Sequence, residues 1–127
     1  MMIYDMILEA RSWVGTPFRW QGRVKGVGVD CVGILVAVLA TVGIQDDTLG
    51  YSTSTVLLNE IGKRPYLKPV QRHPQAGDII VFRIRNFLHL GFCTGPSIVQ
   101  SARRVVMEEL LDEVWRHRIE TVFEIEP

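Results

Sequence analysis

Residues 31–44, CVGILVAVLATVGI, carry no charge, and only Thr41 is plainly polar. A helix with no polar stripe has to be covered on every side, so this segment belongs at the centre of the fold. Fourteen residues are too few to cross a bilayer. A glycine-rich polar stretch leads into the run through Asp30. That predicts a buried helix over about 31–42, ended near Gly43, with Asp30 as its N-cap and Cys31 in its first turn. Unpaired N–H groups and the positive end of the helix dipole meet there. A cysteine so placed is expected to have a stabilised thiolate and to act as a nucleophile near neutral pH.

With 127 residues, the chain has material for one domain, spanning 1–127, with one proper core. Lys plus Arg equals Asp plus Glu at 14 each, and no basic block occurs, which argues against a nucleic-acid partner. Mean hydropathy is slightly positive, a weak sign of a face covered by another chain. The start of the chain carries Asp5 and Glu9 and has no apolar signal core, so cytoplasmic synthesis without an export signal is expected, and no membrane insertion. Cys31 and Cys93 do not make a disulfide framework and suit a reducing compartment. Metal-ligand spacings, a phosphate loop and a dinucleotide fingerprint are all missing, so neither a metal nor a cofactor is expected.

Residues 2–14 show helical spacing and are stopped by Gly15-Thr16-Pro17. Residues 15–29 and 45–53 read as loops. Ser54 can cap a short helix with Leu57, Leu58 and Ile61 on one side. From Tyr66 the pattern turns to strands, over 66–70, 78–84, 88–94, 97–102, 104–110 and 119–125. Helices followed by a run of adjacent strands is the α+β pattern, with N-terminal helices packed on an antiparallel sheet.

A cysteine nucleophile needs a base. His73, beside Pro74, and His117, between two arginines, sit in polar stretches. His89 lies between Leu88 and Leu90 in an apolar strand. Leu88, Leu90 and Phe92 share one strand face, and His89, Gly91 and Cys93 the other. A histidine beside a glycine suggests close packing on that face, with the Cys31 helix as the candidate. If Gly95-Pro96 is a two-residue turn, Gly91 faces Gln100 and His89 faces Ala102. Gln100 then lies diagonal to His89 on the same face, where an amide oxygen can fix the imidazole tautomer. A turn one residue longer would shift this register. Each residue alone has an ordinary structural use: Cys31 in a core, His89 as a satisfied strand residue, Gln100 on an edge. Their conjunction is what points to thiol chemistry. Cys93, next to Phe92, reads as core.

With these residues in view, the chain resembles the NlpC-type cysteine peptidases, papain-like enzymes that cut peptidoglycan stem peptides. It is similar in particular to the short version encoded in phage-tail and gene-transfer-agent operons. The segments carrying the likeness are ARSWVGTPFRWQGRVKGVGVDCVGILV, PQAGDIIVFRI, HLGFCTGPSIVQSARRVVMEEL and VWRHRIETVFEIEP. The resemblance implies Cys31 as nucleophile and, through its backbone N–H, oxyanion donor. It implies His89 as general base and acid, Gln100 as orienting residue, and Asp30 as a holder of the substrate's free amine. The family's tyrosine is Phe18 here, the serine after the nucleophile is Val32, and Gln100 stands where histidine is frequent. These three departures bear on the substrate pocket.

The implied partners are a peptidoglycan stem peptide and phage tail-tip or hub proteins. The implied location is a virion tail, made in the host cytoplasm and acting at the bacterial wall. Two other readings share the fold: an inactive domain with a structural role in tail-tip assembly, and another thiol amidase or acyltransferase.

Overall fold

A computed structural model describes residues 2–48, 54–102 and 104–127 of the chain. Helix α1, Met2–Ser12, buries Met6 and Ala10 and is followed by the buried Trp13. Two short strands, β1 (Arg23–Val24) and β2 (Gly28–Val29), form a small hairpin within the segment expected to be a loop. Two-residue strands have no periodicity for a sequence reading to detect. Helix α2, Cys31–Ala40, buries Val32, Gly33, Ile34, Leu35, Val38 and Leu39. Its end is enforced by Gly43 at φ +85, which lets the Ile44 N–H return to the Leu39 carbonyl at 3.0 Å. Helix α3, Ser54–Gly62, adds Leu58 and Ile61 to the core. Residues 49–53 of the second predicted loop, and the side chain of Leu57, lie outside the described residues.

Six strands follow: β3 (Leu67–Val70), β4 (Ile79–Ile84), β5 (Phe87–Cys93), β6 (Ser97–Ala102), β7 (Val105–Leu110) and β8 (Ile119–Ile125). All six lie within a residue of their predicted limits. They build one antiparallel sheet in the order β3-β8-β4-β5-β6-β7. A single helical turn, α4 (Glu113–Arg116), precedes β8. Asp112 caps it by accepting the Trp115 N–H at 3.0 Å. One turn is too short to show a helical period, so the sequence reading passed over it.

The sheet is apolar on both faces. Ile79, Val81, Leu88, Leu90, Phe92 and Val99 point to the side covered by the first three helices. Ile80, Phe82, Cys93 and Ile98 point to the other, where Leu111 and Trp115 cover them. Phe82 and Trp115 meet edge-on, with centroids 5.0 Å apart. Helix α2 therefore packs on the Leu88-Leu90-Phe92 face, not on the His89-Gly91-Cys93 face expected for it. The reason is area. An uncharged helix buries most against the face with large side chains, where each fully covered aliphatic contributes about 1.5–3 kcal/mol.

Gly33 sets how closely α2 approaches the preceding loop. A Cβ there would lie 2.3 Å from Val29 Cγ2 and 3.0 Å from the Gly22 carbonyl. Gly33→Ala should destabilise the fold by about 1–3 kcal/mol through overpacking. Urea denaturation measures this, and a change within 0.5 kcal/mol (roughly the ordinary surface-substitution range) would refute the close-packing argument.

Candidate active site

The amino end of α2 is held by one carboxylate. Asp30 is extended, at φ −109, and its Oδ1 accepts the Gly33 N–H at 3.0 Å as an N-cap. Arg23 Nη1 donates to the same oxygen at 2.9 Å, and the Gln21 N–H donates to Oδ2 at 2.8 Å. Asp30 is only 1% exposed. Arg23 also pairs with Asp47 beyond the helix, at 3.1 Å. The loop is fastened to the far strands as well. Gly15 N–H donates to the Val106 carbonyl at 2.9 Å, Phe18 N–H to Arg104 at 2.7 Å, and Ser101 Oγ to Val29 at 3.0 Å.

These bonds run from the loop before α2 to Ser101 at the end of β6, to Arg104 and to Val106 of β7. The hairpin turns at Gly95-Pro96, and the β5–β6 ladder consists of Phe92–Val99 and Cys93–Ile98. That is the register expected from a two-residue turn. The ladder stops there, so His89 and Ala102 do not pair as expected. Leu90, whose N–H points toward β6, has no ladder partner there, and that N–H is near enough to the Cys31 thiol to lower its pKa. The thiol thus lies close to β5, near the backbone of Leu90, the residue next to His89. The N–H groups of Cys31 itself and of Val32 also reach it.

His89 and Gln100 meet on the other side of β5. His89 Nε2 lies 2.6 Å from Gln100 Oε1. Gln100 is fully buried and His89 nearly so. Gly91 leaves room beside them: a Cβ there would come within 3.1 Å of Phe82 Cε2 and 3.9 Å of Gln100 Cβ. Gln100 Nε2 donates in turn to Glu109 Oε2 at 2.7 Å. Glu109 was missed by the sequence reading, since only the β6–β7 register reveals that it is near Gln100.

The electrostatics differ from the sequence expectation. Cys31 is partly exposed as a residue, but its thiol is packed among Ile34, Leu35, Ile79, Leu90, Phe92 and Val99. Burial pushes the thiol up to about 11, the nearby Asp30 charge adds to this, and the Leu90, Cys31 and Val32 N–H groups only partly oppose it. The expected stabilised thiolate is therefore not the resting state, because desolvation outweighs the helix end. His89 is lowered from its ordinary value, chiefly by burial and against the Gln100 hydrogen bond. The site rests as neutral thiol and neutral imidazole.

Other candidates occupy framework or surface positions. The Val32 side chain is fully buried in the core, and only its N–H faces the sulfur. Phe18 is 39% exposed on the loop before α2. The carboxylate oxygens of Asp30 already serve three protein donors. His73 and His117 are exposed, and Cys93 is buried with its Sγ 3.6 Å from the Gly95 carbonyl. Among the described residues, no three His, Cys, Asp or Glu gather as a metal site, and no helix is long and apolar enough to cross a membrane.

Residues 15–123 match the NlpC/P60 family. The chain belongs to that family. Solved structures share the fold at low identity. An NLP/P60 protein similar to lipoprotein from Staphylococcus aureus has a TM-score of 0.71 and 16% identity, over 99% of this chain and 42% of that one. This NlpC/P60 chain thus spans under half the length of that relative. The NlpC/p60 domain of the peptidoglycan hydrolase SagA has a TM-score of 0.65 and 18% identity, over 97% and 98% of the two chains. RipD from Mycobacterium tuberculosis, described as a non-catalytic NlpC/p60 domain protein adapted to peptidoglycan binding, has a TM-score of 0.63 and 16% identity, over 98% and 96%. No curated protein sequence matches. The α+β papain-like architecture read from the sequence is the fold of this NlpC/P60 domain.

Two outcomes test the site's construction. Asp30→Ala removes the cap and strands buried donors, so it should cost about 2–3 kcal/mol of stability by urea denaturation. A loss well under 1 kcal/mol, about the low end for a cap alone, would show that the carboxylate does not organise the turn. Alkylation of Cys31 by iodoacetamide, followed by mass spectrometry, should keep accelerating into the alkaline range, with Cys93 slower throughout. A rate that levels off by about pH 9.5, as for an ordinary free thiol of pKa about 8.5 or a more acidic one, would refute the burial argument.

Proposed function

We propose that the chain is a cysteine endopeptidase that cuts stem-peptide amides of peptidoglycan through a thioester. One observation carries this: His89, its Nε2 held by Gln100 at 2.6 Å, is the chain neighbour on β5 of Leu90, whose N–H reaches the Cys31 thiol. In this mechanism Gln100 Oε1 accepts the Nε2 proton, which leaves the lone pair on His89 Nδ1. His89 takes the thiol proton as Cys31 attacks the amide carbon, and the Cys31 N–H receives the developing oxyanion. His89 then protonates the leaving amine and activates the water that hydrolyses the thioester. Because thiol and imidazole both start neutral, proton transfer accompanies attack and no resting ion pair is required.

The proposal extends to setting. The tail-type segments, down to VWRHRIETVFEIEP, support a phage-tail or gene-transfer-agent component that is made in a host cytoplasm, carried in a virion tail and used at the bacterial wall. Its partners would be the stem peptide and neighbouring tail-tip or hub proteins. Phe18, exposed on the loop before α2 and lacking the family's hydroxyl, supports a narrowed substrate range.

A second reading, a peptidoglycan-binding domain without catalysis, is favoured by the Cys31 thiol resting at about 11. Digestion of purified muropeptides with mass-spectrometric readout separates the two. On the peptidase reading, Cys31→Ala and His89→Ala abolish cleavage while folding normally, and Gln100→Ala keeps a fraction of the rate. The acid limb of activity should fall below about pH 6.5, the ordinary histidine value, because His89 must be neutral to act and its pKa is lowered. Cleavage by Cys31→Ala at the parental rate would end the mechanism. Muropeptides that bind but stay intact would establish the second reading.

A further inference from the structure

We propose that Glu109 is a positioning residue of this site, acting through Gln100 to set which nitrogen of His89 carries the proton. The kinetic part of the proposal rests on the peptidase reading; the structural part does not.

An amide and an imidazole make an ambiguous pair. The amide can offer oxygen to an Nε2–H, or turn over and offer its NH₂ to a bare Nε2. The two pairings have nearly the same shape, and Gln100 is fully buried. Their chemistry is opposite. The first leaves a lone pair on Nδ1 for the thiol proton. The second puts a hydrogen on Nδ1 and removes the base.

Glu109 breaks the ambiguity. Its carboxylate Oε2 lies 2.7 Å from Gln100 Nε2. A carboxylate accepts only, so the group facing it has to be the amide NH₂, and the amide oxygen is turned to His89 at 2.6 Å. The β6–β7 register makes this possible. Gln100 pairs with Met107 and Ile98 with Glu109, so Glu109 is the diagonal neighbour of Gln100 on the same sheet face. Among the described residues, Gln100 is the hydrogen-bond partner of Glu109, and no ion pair competes for it. The adjacent Glu108 is committed elsewhere, to Arg11 at 3.0 Å and to Ser97 at 2.6 Å. A buried glutamine, a weaker orienting group than histidine, thereby acquires a fixed direction from a charged residue one strand away.

The test is nitrogen NMR on protein labelled with ¹⁵N-histidine, with His89 assigned from His89→Ala. At a pH where imidazole is neutral, the parent should show one His89 tautomer, protonated at Nε2. Glu109→Gln keeps size and shape but can also donate, so it should give a mixture of tautomers. Glu109→Ala should do the same. On a cleaved muropeptide, Glu109→Gln should lower kcat about tenfold with KM unchanged, the loss of one orienting hydrogen bond. A single Nε2–H tautomer in both variants would overturn the proposal whatever the kinetics. If the parent cleaves nothing, yet Glu109→Gln scrambles the tautomer, the positioning role stands and the peptidase reading fails.

Discussion

One buried carboxylate makes this site possible. An uncharged helix is drawn to the sheet by burial alone, but burial is indifferent to where the first turn points. Asp30 supplies the direction. Its two oxygens tie the helix N-terminus, the preceding loop and the Arg23 side chain together, and Arg23 reaches on to Asp47. Three donors around a carboxylate at 1% exposure cost desolvation that only good geometry offsets. That geometry places Cys31 in the first turn of α2, near Leu90 of β5. The same carboxylate sits close enough to help keep the thiol protonated.

The sheet divides the work between its faces. Leu88, Leu90 and Phe92 receive the helices, while His89, Gly91 and Gln100 lie on the reverse. A continuous β5–β6 ladder would leave the sulfur no place beside the strand. The ladder ends early, and the Leu90 N–H, without a ladder partner there, is one of the groups that hold the Cys31 pKa down against burial. Fold and site meet at this point, because the bond from Ser101 Oγ to the Val29 carbonyl ties the end of β6 to the residue before Asp30.

Much of this was legible in the sequence. Apolar runs over 78–84 and 88–94 and the Gly95-Pro96 turn were enough to set strand limits and the start of the hairpin. The polar Asp30 before an uncharged run was enough to mark the cap. Two kinds of information were out of reach. Alternation assigns residues to faces but does not say which face a helix will choose, so α2 was expected on the His89 side. Electrostatic balance depends on which apolar side chains surround a sulfur, and Ile79, Phe92 and Val99 come from strands far along the chain. The helix end alone pointed to a thiolate, and the enclosure reversed it. Glu109 was hidden for a related reason, since its relation to Gln100 exists only in the register of β6 with β7.

The neutral thiol has a consequence for endurance. Peroxide and molecular oxygen attack cysteine through its thiolate, and the ladder from sulfenic to sulfonic acid begins there. With Cys31 at about 11, only about one molecule in 10,000 carries a thiolate at about pH 7. Such a sulfur ages slowly in air. The burial that holds the proton on Cys31 is thus also what withholds its sulfur from the first step of oxidation.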